Sequence, residues 1–262
     1  MHPMRKNKSI AFRAGGALLI AALTPQVAQG QEEAGRTADD NGGTQRGVWY
    51  SGYDPARGEH YLYSGATVAL NGDLDRDGFH ARVFGSWVAY DLNPGSGRGY
   101  QGDFMLGYRM TRGNIDGGLY IGVDYQHYNP HPDDPTDEVR GTEWGFKIAA
   151  DVETLRNESP IYFSVAGEYS TSFQTYWARA RIGRNLKGFA FGPEGVALGN
   201  VGFDAQRIGG FFIFDWKALP LMSPIEVTLN AGYQFVAGDN GGGGGVGGGE
   251  GAYGGIAFSL LF

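Results

Sequence analysis

The stretch Tyr100–Met110, "YQGDFMLGYRM", decides the fold. Tyr100, Phe104, Leu106, Tyr108 and Met110 share one register of period two, with Gln101, Asp103 and Arg109 in the other. Strict alternation of apolar and polar side chains indicates a strand with two unlike faces. The pattern recurs on both sides. Ile115, Leu119, Ile121, Val123 and Tyr125 oppose Asp116, Asp124 and Gln126, while Trp144, Phe146, Ile148 and Val152 oppose Glu143, Lys147 and Asp151. Ile161, Phe163, Val165 and Tyr169 oppose Ser164 and Glu168; Tyr176, Ala178, Ala180 and Ile182 oppose Arg179 and Arg181; Val227, Leu229, Tyr233 and Phe235 oppose Thr228, Asn230 and Gln234. In all, about twelve segments are expected, near 46–54, 59–70, 78–90, 99–111, 114–128, 140–154, 159–171, 174–186, 188–198, 203–217, 224–237 and 250–262.

A soluble sandwich also alternates, so segment length is the second test. Many of these segments run 11 to 15 residues, beyond the roughly five or six usual in globular proteins and enough for the roughly 9 to 11 that cross a bilayer at a tilt. With the first strand leaving the periplasm, outer loops fall at 55–58, 91–98, 129–139, 172–173, 199–202 and 238–249, and inner turns at 71–77, 112–113, 155–158, near 187, and 218–223. The two longest, "NPHPDDPTDEV" and "GDNGGGGGVGGG", both land outside, as in outer-membrane barrels. The even strand count places both ends in the periplasm, and closure removes the sheet edges that invite aggregation. The expected fold is an all-β, closed antiparallel outer-membrane-type barrel of about 12 strands. Trp49, Tyr53, Tyr90, Tyr100, Tyr128, Tyr169 and Tyr176 lie near strand ends, where interfacial aromatic girdles form.

Composition agrees with short turns and strands: the 262 residues include 46 Gly, 16 Phe and 15 Tyr, with no Cys. Thiol catalysis, thiolate metal sites and disulfides are thereby excluded. Arg5, Lys6, Lys8 and Arg13 precede an apolar run from Ala14 to Leu23, and "VAQG" follows. This reads as a secretory signal peptide over residues 1–30, ahead of a polar leader at 31–45 and a barrel domain at 46–262. Removing the signal takes four of the 21 basic residues and no acid, leaving 17 against 28 acids and a formal charge of −11. Such a surface repels nucleic acid.

Individual motifs fail on context. "NGDLDRDG" (71–78) opens like a calcium loop, yet its twelfth position is Phe84 where a bidentate Glu is needed. "GRGYQG" (97–102) has dinucleotide glycine spacing but leads into a strand, and reads as a loop. His60, His80, His127 and His131 form no close ligand pattern, and no G-x-S-x-G elbow occurs. No catalytic residue, metal or cofactor is therefore assigned. A barrel enzyme assembling Ser, His and an acid from distant strands is one alternative.

The collective signal is stronger. Asp103, Arg109, Asp116, Asp124, Glu143, Lys147, Asp151, Glu168, Arg179, Arg181 and Glu194 all lie on the polar register, which in a barrel faces the lumen. They either line a path for a hydrophilic passenger or pair with one another to fill the interior. Twelve strands leave both open.

The sequence is similar to the cellulose biosynthesis protein BcsS family. The resemblance rests on "ALNGDLDRDGF", "GDFMLGYR", "VRGTEWGFKIAADVET", "EYSTSFQTYWARARIG", "GPEGVALGN" with "FDAQRIGGF", "GYQF" and "EGAYGGIAFSLLF", together covering most of residues 50–262. It implies an accessory role in making or exporting cellulose and brings no catalytic residues. The synthase chemistry belongs to a separate inner-membrane glycosyltransferase. A cellulose tunnel should offer stacking aromatics; Tyr90, Tyr120, Trp177 and Tyr253 share the lumen register, but charge dominates it. The expectation is a non-enzymatic outer-membrane scaffold or assembly partner, with a channel for small hydrophilic solutes as the principal alternative. A soluble periplasmic β-protein is a further one. Expected partners are outer-membrane lipid, the barrel assembly machinery, and cellulose or other cellulose-synthesis components. The final stripe Ile256, Phe258, Leu260 and Phe262 reads as a lipid-facing closing strand, with Phe258, Leu260 and Phe262 as the assembly signal.

Overall fold

The computed structural model describes residues 45–92, 95–133, 137–156, 159–186, 188–216, 225–237 and 249–262. The expected signal peptide, the leader up to residue 44, the turn at 218–223, residue 187 and the glycine run up to residue 248 lie outside the described residues.

Twelve strands form one sheet: β1 (Gly47–Ala56), β2 (Glu59–Ala69), β3 (Gly78–Leu92), β4 (Gly95–Arg112), β5 (Ile115–His131), β6 (Gly141–Thr154), β7 (Ile161–Ser170), β8 (Tyr176–Leu186), β9 (Phe189–Asn200), β10 (Phe203–Trp216), β11 (Ile225–Ala237) and β12 (Gly251–Leu261). Each strand pairs antiparallel with its sequence neighbours, and β1 pairs with β12 to close the barrel. The closing register sets Val48 against Leu261, Ser51 against Phe258 and Tyr53 against Ile256. Phe262 completes it: its carbonyl accepts from the Arg46 and Gly47 amides at 2.7 and 3.0 Å, and its amide donates to Gly47 O at 2.9 Å.

The period-two pattern becomes inside and outside. Even positions on odd-numbered strands and odd positions on even-numbered strands face inward. Charged residues occupy the inside and apolar ones the wall, with Phe79, Ile121, Phe146 and Ile208 all more than 60 % exposed. Tyr100 and Tyr108 bound the apolar stripe of β4, about 27 Å apart along the strand. Water would not tolerate so large an apolar surface, and this inversion belongs to a membrane-spanning barrel. No helix among the described residues is long and apolar enough to cross a membrane.

The structure corrects the reading of residues 91–102. The ladder between β3 and β4 continues to Leu92 and Gly95, and that between β4 and β5 to Ser96 and His131. Hence "GRGYQG" is strand, and the expected loop at 91–98 is a tight connection. Gly97 and Gly99 face inward, where added Cβ atoms would stand 2.2 Å from the Tyr90 ring and 2.5 Å from the Tyr128 ring. Here glycine marks a place where an aromatic ring crosses the backbone. It follows that Tyr90 and Tyr128 pack inside the barrel mouth, so neither joins a lipid-facing girdle; Trp49 and Tyr100 do face outward.

Connection lengths separate the two ends only weakly. The links after β1, β3 and β9, at the end away from the termini, each leave two residues between paired strands, while the turn after β2 spans residues 70–77.

Gly99→Val should lower the unfolding free energy in detergent by about 1–3 kcal/mol through overpacking against Tyr128. Gly195→Ala, where an added Cβ meets nothing within 4 Å, should stay within about 0.5 kcal/mol of the parent. Urea unfolding followed by heat-modifiable gel migration compares the two.

Candidate functional site in the barrel lumen

A charge placed inside a barrel wall loses most of its hydration and must find an opposite charge or hydrogen-bond partners. The interior of this barrel is organised around that need. At its centre Arg82 of β3, Asp103 of β4, Lys147 of β6 and Glu168 of β7 form a closed quartet. Arg82 stands 3.2 Å from both carboxylates; Lys147 is 2.8 Å from Asp103 and 2.9 Å from Glu168. All four side chains are fully buried. Two cations meet two anions, so the set is neutral as well as paired. Its flanks are aromatic, with the Arg82 guanidinium 6.0 Å from the Tyr120 ring centre and the Lys147 ammonium 5.7 Å from that of Phe84, distances at which the ring quadrupole favours a cation.

Arg82 and Glu168 lie on strands four apart in the closed order, so their contact runs across the lumen rather than along the wall. A second crossing joins Arg207 of β10 to Asp54 of β1 at 3.1 Å, with Gln234 accepting from Arg207 Nε at 2.7 Å. A third joins Tyr253 of β12 to Glu194 of β9, the hydroxyl donating at 2.8 Å while Arg181 donates to the other oxygen at 2.9 Å. Near the terminal end Arg109 bridges Asp116 and Asp151, the latter at 2.8 Å. Arg156, from the turn after β6, reaches inward to Glu226 and, at 2.8 Å, to Asp215.

At the opposite mouth Asp124 accepts from Ser170 Oγ at 2.6 Å and Gln126 Nε2 at 2.7 Å. Glu143 is exposed there, and its carboxylate accepts the Phe173 amide at 2.7 Å. Arg179 is buried, its guanidinium 5.1 Å from the Trp177 ring centre. Thus the structure brings Asp103, Lys147 and Glu168 into one cluster, Arg109, Asp116 and Asp151 into another, and Arg181 and Glu194 into a third. Asp124 and Glu143 belong to the mouth.

Sequence reasoning missed Arg82, Arg207, Asp54 and Glu59, although the same alternation in β1, β2, β3 and β10 would have found them. It could not have found Arg156, which has no periodic position. Tyr50, Trp177 and Tyr162, on the same inward register as these charges, are also fully buried. His60 hydrogen-bonds Tyr53 at 2.7 Å and His127 hydrogen-bonds Thr142 at 2.8 Å; Asp73 pairs with Arg76 at 3.0 Å and Asp77 with Arg112. Among the described residues no group of three or more His, Cys, Asp or Glu is placed to hold a metal ion.

A closed twelve-stranded antiparallel sheet, apolar outside and charge-paired within, defines an outer-membrane-type β-barrel. Solved structures similar to it include the KdgM porin in complex with disordered oligogalacturonate, at 7 % identity over 82 % of this chain and 99 % of that one, TM-score 0.42. CdiB from Escherichia coli matches at 9 % identity over 82 % and 63 %, TM-score 0.41, and the translocator domain of autotransporter NalP from Neisseria meningitidis at 10 % over 86 % and 90 %, TM-score 0.29. No curated protein sequence matches. The family profile described as cellulose biosynthesis protein BcsS matches residues 48–262, and the chain belongs to that family.

Lys147→Met should cost about 3–5 kcal/mol of unfolding free energy, because it leaves Asp103 and Glu168 buried with one cation between them. Combining it with Asp103→Asn should cost less than the sum of the two single changes. Equal and additive losses in urea titrations would show that the quartet does not act as a unit.

Proposed function

We propose that this protein is a non-enzymatic accessory barrel of bacterial cellulose biosynthesis or secretion, seated in the outer membrane, which acts as a scaffold or assembly partner and does not itself conduct the polymer. The cellulose assignment rests on family membership. The choice of scaffold over conduit rests on one observation: the fully buried quartet of Arg82, Asp103, Lys147 and Glu168, whose ion pairs cross the lumen. A neutral glucan passing this level would have to separate buried opposite charges and could not replace their Coulomb attraction. Placement in the outer membrane is supported by the apolar wall together with the signal-peptide reading of residues 1–30. Expected partners are the surrounding lipid, the barrel assembly machinery, and cellulose or the other components that make it.

Deletion of the gene in its host should change the amount of cellulose at the cell surface or in the periplasm. Unchanged amounts in both places would remove the cellulose assignment. The purified barrel in planar bilayers should be electrically silent, and regular ion-permeable steps in the unmodified protein would favour the solute-channel alternative.

A further inference from the structure

At the mouth away from the termini the turn between β7 and β8 packs over inward-facing side chains of β3 and β5, beside Val139 and Val201, and this turn is unusual in three respects. Phe173 and Gln174 hold φ of 47° and 48°, the left-handed region that L residues avoid. The Phe173 ring is nonetheless buried, 5.3 Å from the Tyr128 ring in a T-shaped contact and packed with Tyr90. Serine and threonine hydroxyls of the same turn bond to some of the polar groups beneath: Ser172 Oγ donates to Asp124 at 3.3 Å, and Gln126 Nε2 donates to Thr175 Oγ1 at 2.7 Å. Strain of this kind persists only where surrounding contacts impose it.

Under the turn, a carboxylate, a primary amide and two tyrosine rings converge. Gln126 is fully buried and its Oε1 has no hydrogen-bond partner among the described residues; Tyr90 is 3 % exposed and its hydroxyl has none either. An unpartnered acceptor and an unpartnered hydroxyl at a buried site call for a guest with both donors and acceptors. Carboxylate and amide groups bind vicinal hydroxyls, and aromatic faces pack on the apolar faces of a sugar ring. We infer that this mouth is a binding site for a neutral oligosaccharide, in this family a β-linked glucan, and that the Ser172–Gln174 turn occupies it as an internal mimic, with the Ser172 hydroxyl on Asp124 and the Phe173 ring on Tyr128 where the sugar's would go. The glucan identity rests on the proposed cellulose role; the site rests on the geometry.

Displacing the turn costs the complex some of its affinity, because only the fraction of molecules with the turn lifted can bind. Phe173→Ala removes the ring while keeping the cost of a left-handed backbone in the seated turn, so it should bind cellohexaose about tenfold more tightly than the parent full-length protein in detergent, by isothermal titration calorimetry. Adding Gln126→Ala or Tyr128→Leu to Phe173→Ala should abolish the gain. Heat-modifiable migration reports folding, and should Phe173→Ala fail to reach the folded band, Ser172→Ala carries the same expectation. Unchanged affinity on lifting the turn, or on removing Gln126 and Tyr128 beneath it, overturns the site, whatever the deletion strain shows about cellulose. Turn-dependent binding of oligogalacturonate but not of cellohexaose overturns the neutral-glucan assignment. A deletion strain with unaltered cellulose, beside turn-dependent cellohexaose binding, leaves the site standing and removes the accessory role.

Discussion

The pairing of β1 with β12 is the constraint on which the rest of this molecule depends. In a hydrocarbon environment each unpaired main-chain amide or carbonyl costs several kcal/mol, and only the closing ladder, finished by Phe262 against Arg46 and Gly47, removes the two edges of the sheet. Once the sheet is closed, a side chain has only two directions to point. Period two then ceases to be a statistical preference and becomes a sorting rule: every second residue meets lipid and the others meet one another. A one-residue slip anywhere would exchange the two sets, so the alternation in twelve strands fixes the register as firmly as the turns do.

That sorting explains why the charge inside is paired rather than merely polar. The lumen charges of β4 to β8, from Asp103 to Arg181, stand almost without exception between aliphatic or aromatic residues, or small alanines and glycines, so their inward direction is legible from alternation alone. What the sequence could not display was who meets whom. The partners of Glu168 come from β3 and β6, and period two carries no information about contacts across the lumen. The glycines misled for a related reason. In "GRGYQG" a residue without a side chain looks like a loop, whereas Gly97 and Gly99 are the absent halves of Tyr90 and Tyr128. A glycine opposite an aromatic residue on the neighbouring strand is the pattern that would have distinguished the two cases.

Connections carry no period, and here they do more than connect. Arg156 enters from the terminal end to reach Asp215 and Glu226, and Phe173 enters from the other end to reach Tyr90 and Tyr128. Both are single residues in turns that neither length nor composition distinguishes from solvent-exposed turns. The barrel is thus filled by strand side chains at its middle and by turn side chains at its ends. This filling is what allows twelve strands, a number compatible with a water-filled lumen, to enclose a packed interior.

The consequence for function follows from the different natures of these closures. The quartet is built from side chains on rigid strands, neutral as a set and without exposed surface, and opening it would require several buried ions to move together. The Phe173 turn is a short segment in an unfavourable backbone conformation, held by one ring, hydroxyl contacts and single main-chain hydrogen bonds to Glu143, Phe146 and Val201, and it lies outside the paired ladders. In the role proposed above, exchange with a ligand is confined to the mouth, above the quartet, so that a polysaccharide is engaged from one side of the membrane without being passed. The groups at that mouth, carboxylate, amide and aromatic face together, suit a neutral chain of hydroxyls better than a charged one.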